Sequence, residues 1–211
     1  MNITREQLKL YAVTDRSWLG SETLYEQVEK ALKGGVTLVQ LREKTLEEAA
    51  LEKKGKELLE ICHHNKEPPI KNKKKKKKKK IHADGVHIGQ SDMEIKNARE
   101  LLGADKIIGV TAKTIEQAKA AEAAGADYLG SGAVFGTSTK GDAKPMELDL
   151  FQEICESVTI PVDAIGGINA DNVLRLKGRK MAGAAVVSGI FACEDIEKGT
   201  KELLEKVASI I

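Results

Sequence analysis

The strongest constraint on this chain is a period. Eight short apolar segments rich in strand formers recur along it, with amphipathic helical segments between them. The first strand segment is LKLYAVT (8–14). From Ser21 to Lys33, Leu24, Val28, Ala31 and Leu32 recur at helical spacing and stop at Gly34-Gly35. VTLVQL (36–41) is the second strand. The TLEE pattern from Thr45 to Glu48 is a capping box, and it opens a helix with Leu51, Gly55, Leu58, Leu59 and Cys62 on one face. Pro68-Pro69-Ile70 begins the third strand. GVHIG (85–89), KIIGVT (106–111), DYLGSGAV (127–134), IPVDAIGG (160–167) and GAAVVSG (183–189) follow. Helices are predicted near 93–102, from a Thr114–Gln117 cap to Ala124, near 147–157, from Asn169, and across Ile196, Leu203, Leu204 and Val207. Residues 73–82 are left to supply the third helix. Helices between short buried strands imply parallel βαβ units, and eight of them predict a single-domain (β/α)8 TIM barrel over residues 1–211. A doubly wound open sheet is the alternative.

Composition narrows the class. At 211 residues the chain can bury a large core, and with only 3% aromatic residues that core must be Ala, Val, Ile and Leu. No apolar run reaches the roughly 18 residues of a membrane span, and the N-terminus is not patterned as a signal peptide. Cys62, Cys155 and Cys193 are far apart, which supports neither a disulfide framework nor a cysteine zinc site. A cytoplasmic protein with no membrane partner is expected; an oligomer is compatible with all of this. The net charge of +2 is misleading, because Lys73 to Lys80 is an unbroken lysine run. Without it the balance is −6, from 26 basic and 32 acidic residues. The run lies mid-chain and has no interleaved aromatics for stacking bases, so no nucleic-acid partner is expected.

Function in such a barrel sits at the C-terminal strand ends. Those ends read Gln40 to Lys44, Asn72, Gly89 to Asp92, Thr111, Gly136 to Lys140, Gly166-Gly167-Ile168 and Val187-Ser188-Gly189. Cations, hydroxyls and exposed amides suit phosphates, and a carboxylate suits a divalent cation. Gly166-Gly167 before a helix opening near Asn169 is the best single anion site. Gln40 and Arg42 alternate with Leu41 and so share one side of strand two. Arg42 suits a phosphate and Gln40 a heterocycle, against a plain surface ion pair for Arg42. Asp92 reads as a metal ligand or a helix cap, and His87 as a satisfied core histidine. GTSTK (136–140) is not a P-loop, and no catalytic serine triad or HExxH pattern is present.

YAVTDR (11–16), GGVTLVQLREK (34–44), ADGVHIGQSD (83–92), IIGVTAKT (107–114), GADYLGSGAVFGTSTK (125–140), IPVDAIGGI (160–168) and AGAAVVSGIF (182–191) cover nearly the whole chain. Together they resemble the thiamine-phosphate synthase family. The resemblance implies a (β/α)8 barrel that joins hydroxymethylpyrimidine diphosphate to a thiazole phosphate, releasing pyrophosphate with Mg²⁺. It implies that Gln40, Leu41, Arg42, Glu43, Lys44, Asn72, Thr111 and Lys140 hold the pyrimidine diphosphate. Thr137, Ser138, Thr139, Gly167, Val187 and Ser188 would meet the thiazole phosphate, and Asp92 would ligate Mg²⁺.

The chain departs from the family pattern in two places. A gap-free register puts Lys73 where the second Mg²⁺-binding Asp belongs, and residues 73–80 are all Lys where a mixed amphipathic helix is expected. Asp163 stands where the family usually has an apolar residue. A thiazole tautomerase-like isomerase and a non-catalytic phosphate-binding barrel are therefore the alternatives; Lys73 favours the isomerase, while QLREK, Asp92 and GTSTK together favour the synthase.

Overall fold

The computed structural model describes residues 3–42, 48–65, 69–72, 83–89, 95–136 and 145–211, with backbone alone at 48–54, 63, 71 and 72. Eight parallel strands close into a barrel in chain order. They are β1 (Leu10–Val13), β2 (Leu38–Leu41), β3 (Pro69–Asn72), β4 (Gly85–Ile88), β5 (Ile107–Ala112), β6 (Tyr128–Gly132), β7 (Val162–Ile165) and β8 (Gly183–Val186). Closure is direct, since Tyr11 of β1 pairs with Leu38 of β2 on one side and Ala185 of β8 on the other. An open doubly wound sheet is thereby excluded.

Side-chain alternation divides the apolar residues into two layers. Leu10, Ala12, Val39, Leu41, Val86, Ile88, Ile108, Val110, Leu129, Val162 and Ala164 face outward, in one cluster with the helices. Those helices are α2 (Leu24–Lys33), α3 (Glu48–His64), α4 (Ile95–Leu102), α5 (Ile115–Ala123), α6 (Leu148–Ser157) and α8 (Ile196–Ala208). The α5 start follows its sequence signal, whereas α2 begins at Leu24 rather than at Ser21. Thr114 accepts from the Gln117 amide at the start of α5. Thr23 and Glu26 form a reciprocal capping box on α2. The predicted Thr45 cap and the third helix at 73–82 lie outside the described residues.

The inner layer contains Tyr11, Val13, Leu38, Ile70, Ile107, Tyr128 and Ala185, joined by Ile3 and Leu8. Here the first strand needs correcting. Residues Arg5–Leu8 form a short helix, α1, capped by Thr4 and Gln7, and β1 begins only at Leu10. The Thr-x-x-Gln capping box ends the helix–strand ambiguity of this apolar stretch. Leu8 and Ile3 then stopper the N-terminal mouth of the barrel, leaving the opposite rim for ligands.

Candidate active site

The site is built from inward-facing polar residues near the C-terminal strand ends. Gln40 of β2 is almost fully buried, and its Oε1 accepts the Tyr11 phenol hydrogen at 2.7 Å. The Tyr11 and Tyr128 hydroxyls are 3.0 Å apart. Tyr128 Oη lies 3.0 Å from His87 Nδ1, and His87 Nε2 lies 3.0 Å from Thr111 Oγ1. Gly109 makes this possible: it pairs with Tyr128 in register, and a Cβ there would overlap the phenol ring. Burial pushes both phenols up and pushes the His87 imidazole down to about 4. His87 is thus a satisfied interior histidine, as its strand position suggested.

Arg42 leaves the end of β2 and is tied to β1. Its amide donates to Thr14 Oγ1 at 3.0 Å, and its Nη1 meets Asp15 Oδ2 at 2.6 Å. Asp15 also accepts from the Ser17 amide and hydroxyl. Burial alone would raise the Asp15 carboxyl; the bonds from Ser17 and the Arg42 charge outweigh it and hold the carboxyl below its ordinary value. The sequence reading passed over Asp15, although YAVTDR carries it. Leu41 is placed differently from its neighbours: its side chain joins the outer core, near Leu58 and Leu59 of α3. Alternation explains this, since Gln40 takes the inward position.

On the other side of the rim, the loops after β6, β7 and β8 converge. Gly167 has φ +69°, and a Cβ on it would run into the Gly136 carbonyl, so the start of the GTSTK loop lies against the β7 turn. Gly189 packs equally closely on Ile168 and Asn169. The Arg175 guanidinium covers the Phe135 ring at 5.1 Å. The helix predicted from Asn169 is only a 3-10 turn at Val173–Leu176. Its approach is occupied by a reciprocal pair. Asn169 Oδ1 accepts from the Asp171 and Asn172 amides, and Asn172 Oδ1 accepts from the Asn169 amide. Asn172 Nδ2 donates to the Gly167 carbonyl at 2.8 Å, which fixes the glycine turn. The Asn169 segment therefore spends its amides internally, contrary to the expectation of open helix N-terminal amides. Val187 and Ser188, half-buried, open the short helix α7 (Ser188–Phe191) beside this turn.

Asn72 ends β3 opposite His87 in register. Glu43, Lys44, Lys73, Asp92, Thr137, Ser138, Thr139 and Lys140 lie outside the described residues. Among the described residues, no group of three or more His, Cys, Asp or Glu is placed to hold a metal.

The family model described as thiamine monophosphate synthase matches residues 10–190. The chain belongs to the thiamine-phosphate synthase family. A thiamine-phosphate synthase of Clostridium acetobutylicum is 47% identical over 94% of both chains. One from Fusobacterium nucleatum is 45% identical over 93% of this chain and 96% of its own. A solved thiamine phosphate pyrophosphorylase of Pyrococcus furiosus superposes with a TM-score of 0.87, at 36% identity over 98% of both chains. Within this family fold, one buried carboxyl stands out. Asp163 of β7 points inward, is fully buried, and neither of its oxygens has a hydrogen-bond partner among the described residues. Burial pushes its carboxyl well above the ordinary value, against the attraction of Arg5.

Proposed function

We propose that this chain is a thiamine-phosphate synthase, a transferase joining hydroxymethylpyrimidine diphosphate to a thiazole phosphate with release of pyrophosphate. The observation that carries the reading is the rim itself. Buried Gln40 and the oriented cation Arg42 follow one another at the end of β2, Thr111 ends the interior hydrogen-bonded path at β5, and glycine loops after β6, β7 and β8 converge on the same rim. In this reading Gln40, Thr111 and Asn72 hold the pyrimidine, and Arg42, Glu43, Lys44 and Lys140 surround its diphosphate, with Leu41 contributing backbone only. Thr137, Ser138, Thr139, Gly167, Val187 and Ser188 take the thiazole phosphate. A cytoplasmic location fits these charged small-molecule substrates.

The chemistry asks little acid–base work of the protein. An electron-rich aminopyrimidine can shed diphosphate and leave a stabilised cation. Arg42 and Lys140 offset the charge that develops on the leaving group, and the thiazole loops hold the ring nitrogen in line with the cation. Asp15 keeps the Arg42 guanidinium aimed at the rim. Mg²⁺ when bound would supply further charge neutralisation at the diphosphate. A single carboxylate plus phosphate oxygens is a donor set that Mg²⁺ accepts, and Asp92 offers that carboxylate. An ammonium cannot ligate, so Lys73 contributes nothing to it.

A coupled assay for pyrophosphate, run with both substrates and with each alone, tests the reading. Pyrophosphate formed only when both are present is the expected result. Isomerisation of a thiazole substrate without pyrophosphate would make the chain a tautomerase-like isomerase instead, and phosphate binding with no turnover would make it a non-catalytic barrel.

A further inference from the structure

The interior polar residues form one continuous path, and its hydrogens follow from the orientation of the Gln40 amide, whose oxygen faces Tyr11. Gln40 Oε1 is an acceptor only, so the 2.7 Å contact requires the Tyr11 hydroxyl to donate. A phenol has one hydrogen. Tyr11 therefore accepts at its 3.0 Å contact with Tyr128, which must donate. With the Tyr128 hydrogen so committed, its oxygen accepts from His87 Nδ1, also at 3.0 Å. A neutral imidazole carries one ring hydrogen. Placing it on Nδ1 leaves Nε2 as acceptor, and the Thr111 hydroxyl then donates to Nε2 at 3.0 Å. One direction runs through five strands: Thr111 to His87 to Tyr128 to Tyr11 to Gln40.

We propose that Tyr11, Tyr128 and His87 are positioning residues that fix this direction, with the His87 ring hydrogen on Nδ1, so that Gln40 meets a ligand only as a donor and Thr111 only as an acceptor. The amide oxygen of Gln40 is turned into the path, so any further bond its side-chain nitrogen makes is donated. The Thr111 hydrogen is turned into the path, so any further bond its oxygen makes is accepted. A side-chain donor at Gln40 suits a ring nitrogen of an aminopyrimidine, which can only accept. This last step rests on the proposed pyrimidine site; the hydrogen direction does not. If the Gln40 amide were turned over, every arrow would reverse and the His87 hydrogen would sit on Nε2. Two states of one path are thus distinguished by one atom.

The test is long-range proton–nitrogen NMR of the ¹⁵N-labelled full chain without ligand at pH 7, with the His87 signals identified by their loss in His87→Gln. A protonated Nδ1 with an unprotonated Nε2 is the expected result. The Nε2–H form would overturn the proposal. The Tyr11→Phe variant, which does not touch His87, checks transmission: His87 should become a mixture of both forms once the anchor at Gln40 is gone. Retention of the pure Nδ1–H form would show that Gln40 does not set the direction. In the same variant KM for the pyrimidine diphosphate should rise about tenfold, the size of one lost buried hydrogen bond, with kcat and the KM for thiazole phosphate little changed. Equal losses for both substrates would overturn the assignment of Tyr11 as a positioning residue for the pyrimidine. Absence of pyrophosphate release from the unmodified chain would instead defeat the functional reading while leaving the NMR result standing.

Discussion

Arg42 does not reach the rim unsupported: Asp15 grips its guanidinium at 2.6 Å, and both side chains are largely sheltered from solvent. Such a sheltered charge pair pre-orients the cation at little further entropic cost when an anion arrives. In the proposed reaction Arg42 meets charge that grows as diphosphate departs. Arg42→Ala, and likewise Lys140→Ala, should therefore lower kcat by an amount worth about 2–4 kcal/mol, with little change in thiazole phosphate binding. Steady-state kinetics with each substrate varied in turn decides this. A raised KM at unchanged kcat would assign both residues to ground-state binding.

Asp15→Asn keeps the shape but loses the charge that holds Arg42. The expected kcat loss is smaller than for Arg42→Ala, because the guanidinium is still present but less confined. Adding Asp15→Asn on top of Arg42→Ala should change little further, and a double-mutant cycle measures that coupling. Fully additive losses would mean that Asp15 acts on something other than Arg42.

Asp163 should weaken the fold as pH rises. Its folded carboxyl titrates well above the unfolded one, so above about pH 4 the unfolded chain ionises first and is favoured. The contribution is fully present below the unfolded pKa and is lost as pH rises toward the folded pKa. Asp163→Asn should therefore stabilise by about 1–3 kcal/mol at pH 8 and by less at pH 5. For a chain of this length that is roughly 2–4 °C in Tm per kcal/mol. Urea unfolding at the two pH values checks it; an equal gain at both would rule out ionisation as the cause.

His87 has the opposite pH sense. Its folded pKa of about 4 lies below the ordinary 6.5, so the unfolded chain takes up the proton first as pH falls. Stability should drop between about pH 6.5 and 4, by up to about 3 kcal/mol. His87→Asn should flatten that acid limb, whatever its effect at neutral pH. An unchanged acid limb in the variant would place the responsible group elsewhere.

Position 73 tests the metal site. Lys73→Asp should lower the Mg²⁺ concentration needed for half-maximal turnover, because a second carboxylate joins Asp92. Isothermal titration of Mg²⁺ in the presence of pyrophosphate gives an independent readout. If the two proteins respond alike, the metal site does not include position 73.

The barrel was legible because each strand is short, apolar and bounded, and because helical spacing returns between them. That Gln40 and Leu41 face opposite sides of β2 was legible from their alternation; which side faces inward was not. The α1 helix was missed because LKLYAV extends an apolar run backward over Leu8, although Thr4 and Gln7 carried the capping signal. The Tyr11–Tyr128–His87 contacts were not legible. They join residues 117 and 41 positions apart, and only barrel closure and strand tilt bring them together. Asn169 read as a helix opening, but its side chain and that of Asn172 satisfy each other's backbone and stop it. Asp163 was visible as an odd residue in a buried strand; that both its oxygens would be stranded required the neighbours.

The slot that Gly109 leaves for the Tyr128 ring has a consequence for anyone seeking a hardier version of this protein. Barrels of this kind are commonly stiffened by exchanging interior residues for larger aliphatic ones. Here the centre is already filled by a phenol whose far end belongs to the hydrogen-bonded path, so filler and instrument are the same atoms. A methyl group added at position 109 would dislodge that ring and with it both ends of the path. Improvement by selection is therefore channelled to the outer shell between strands and helices, and to Asp163, among the described residues the one fully buried carboxyl that no proposed step employs.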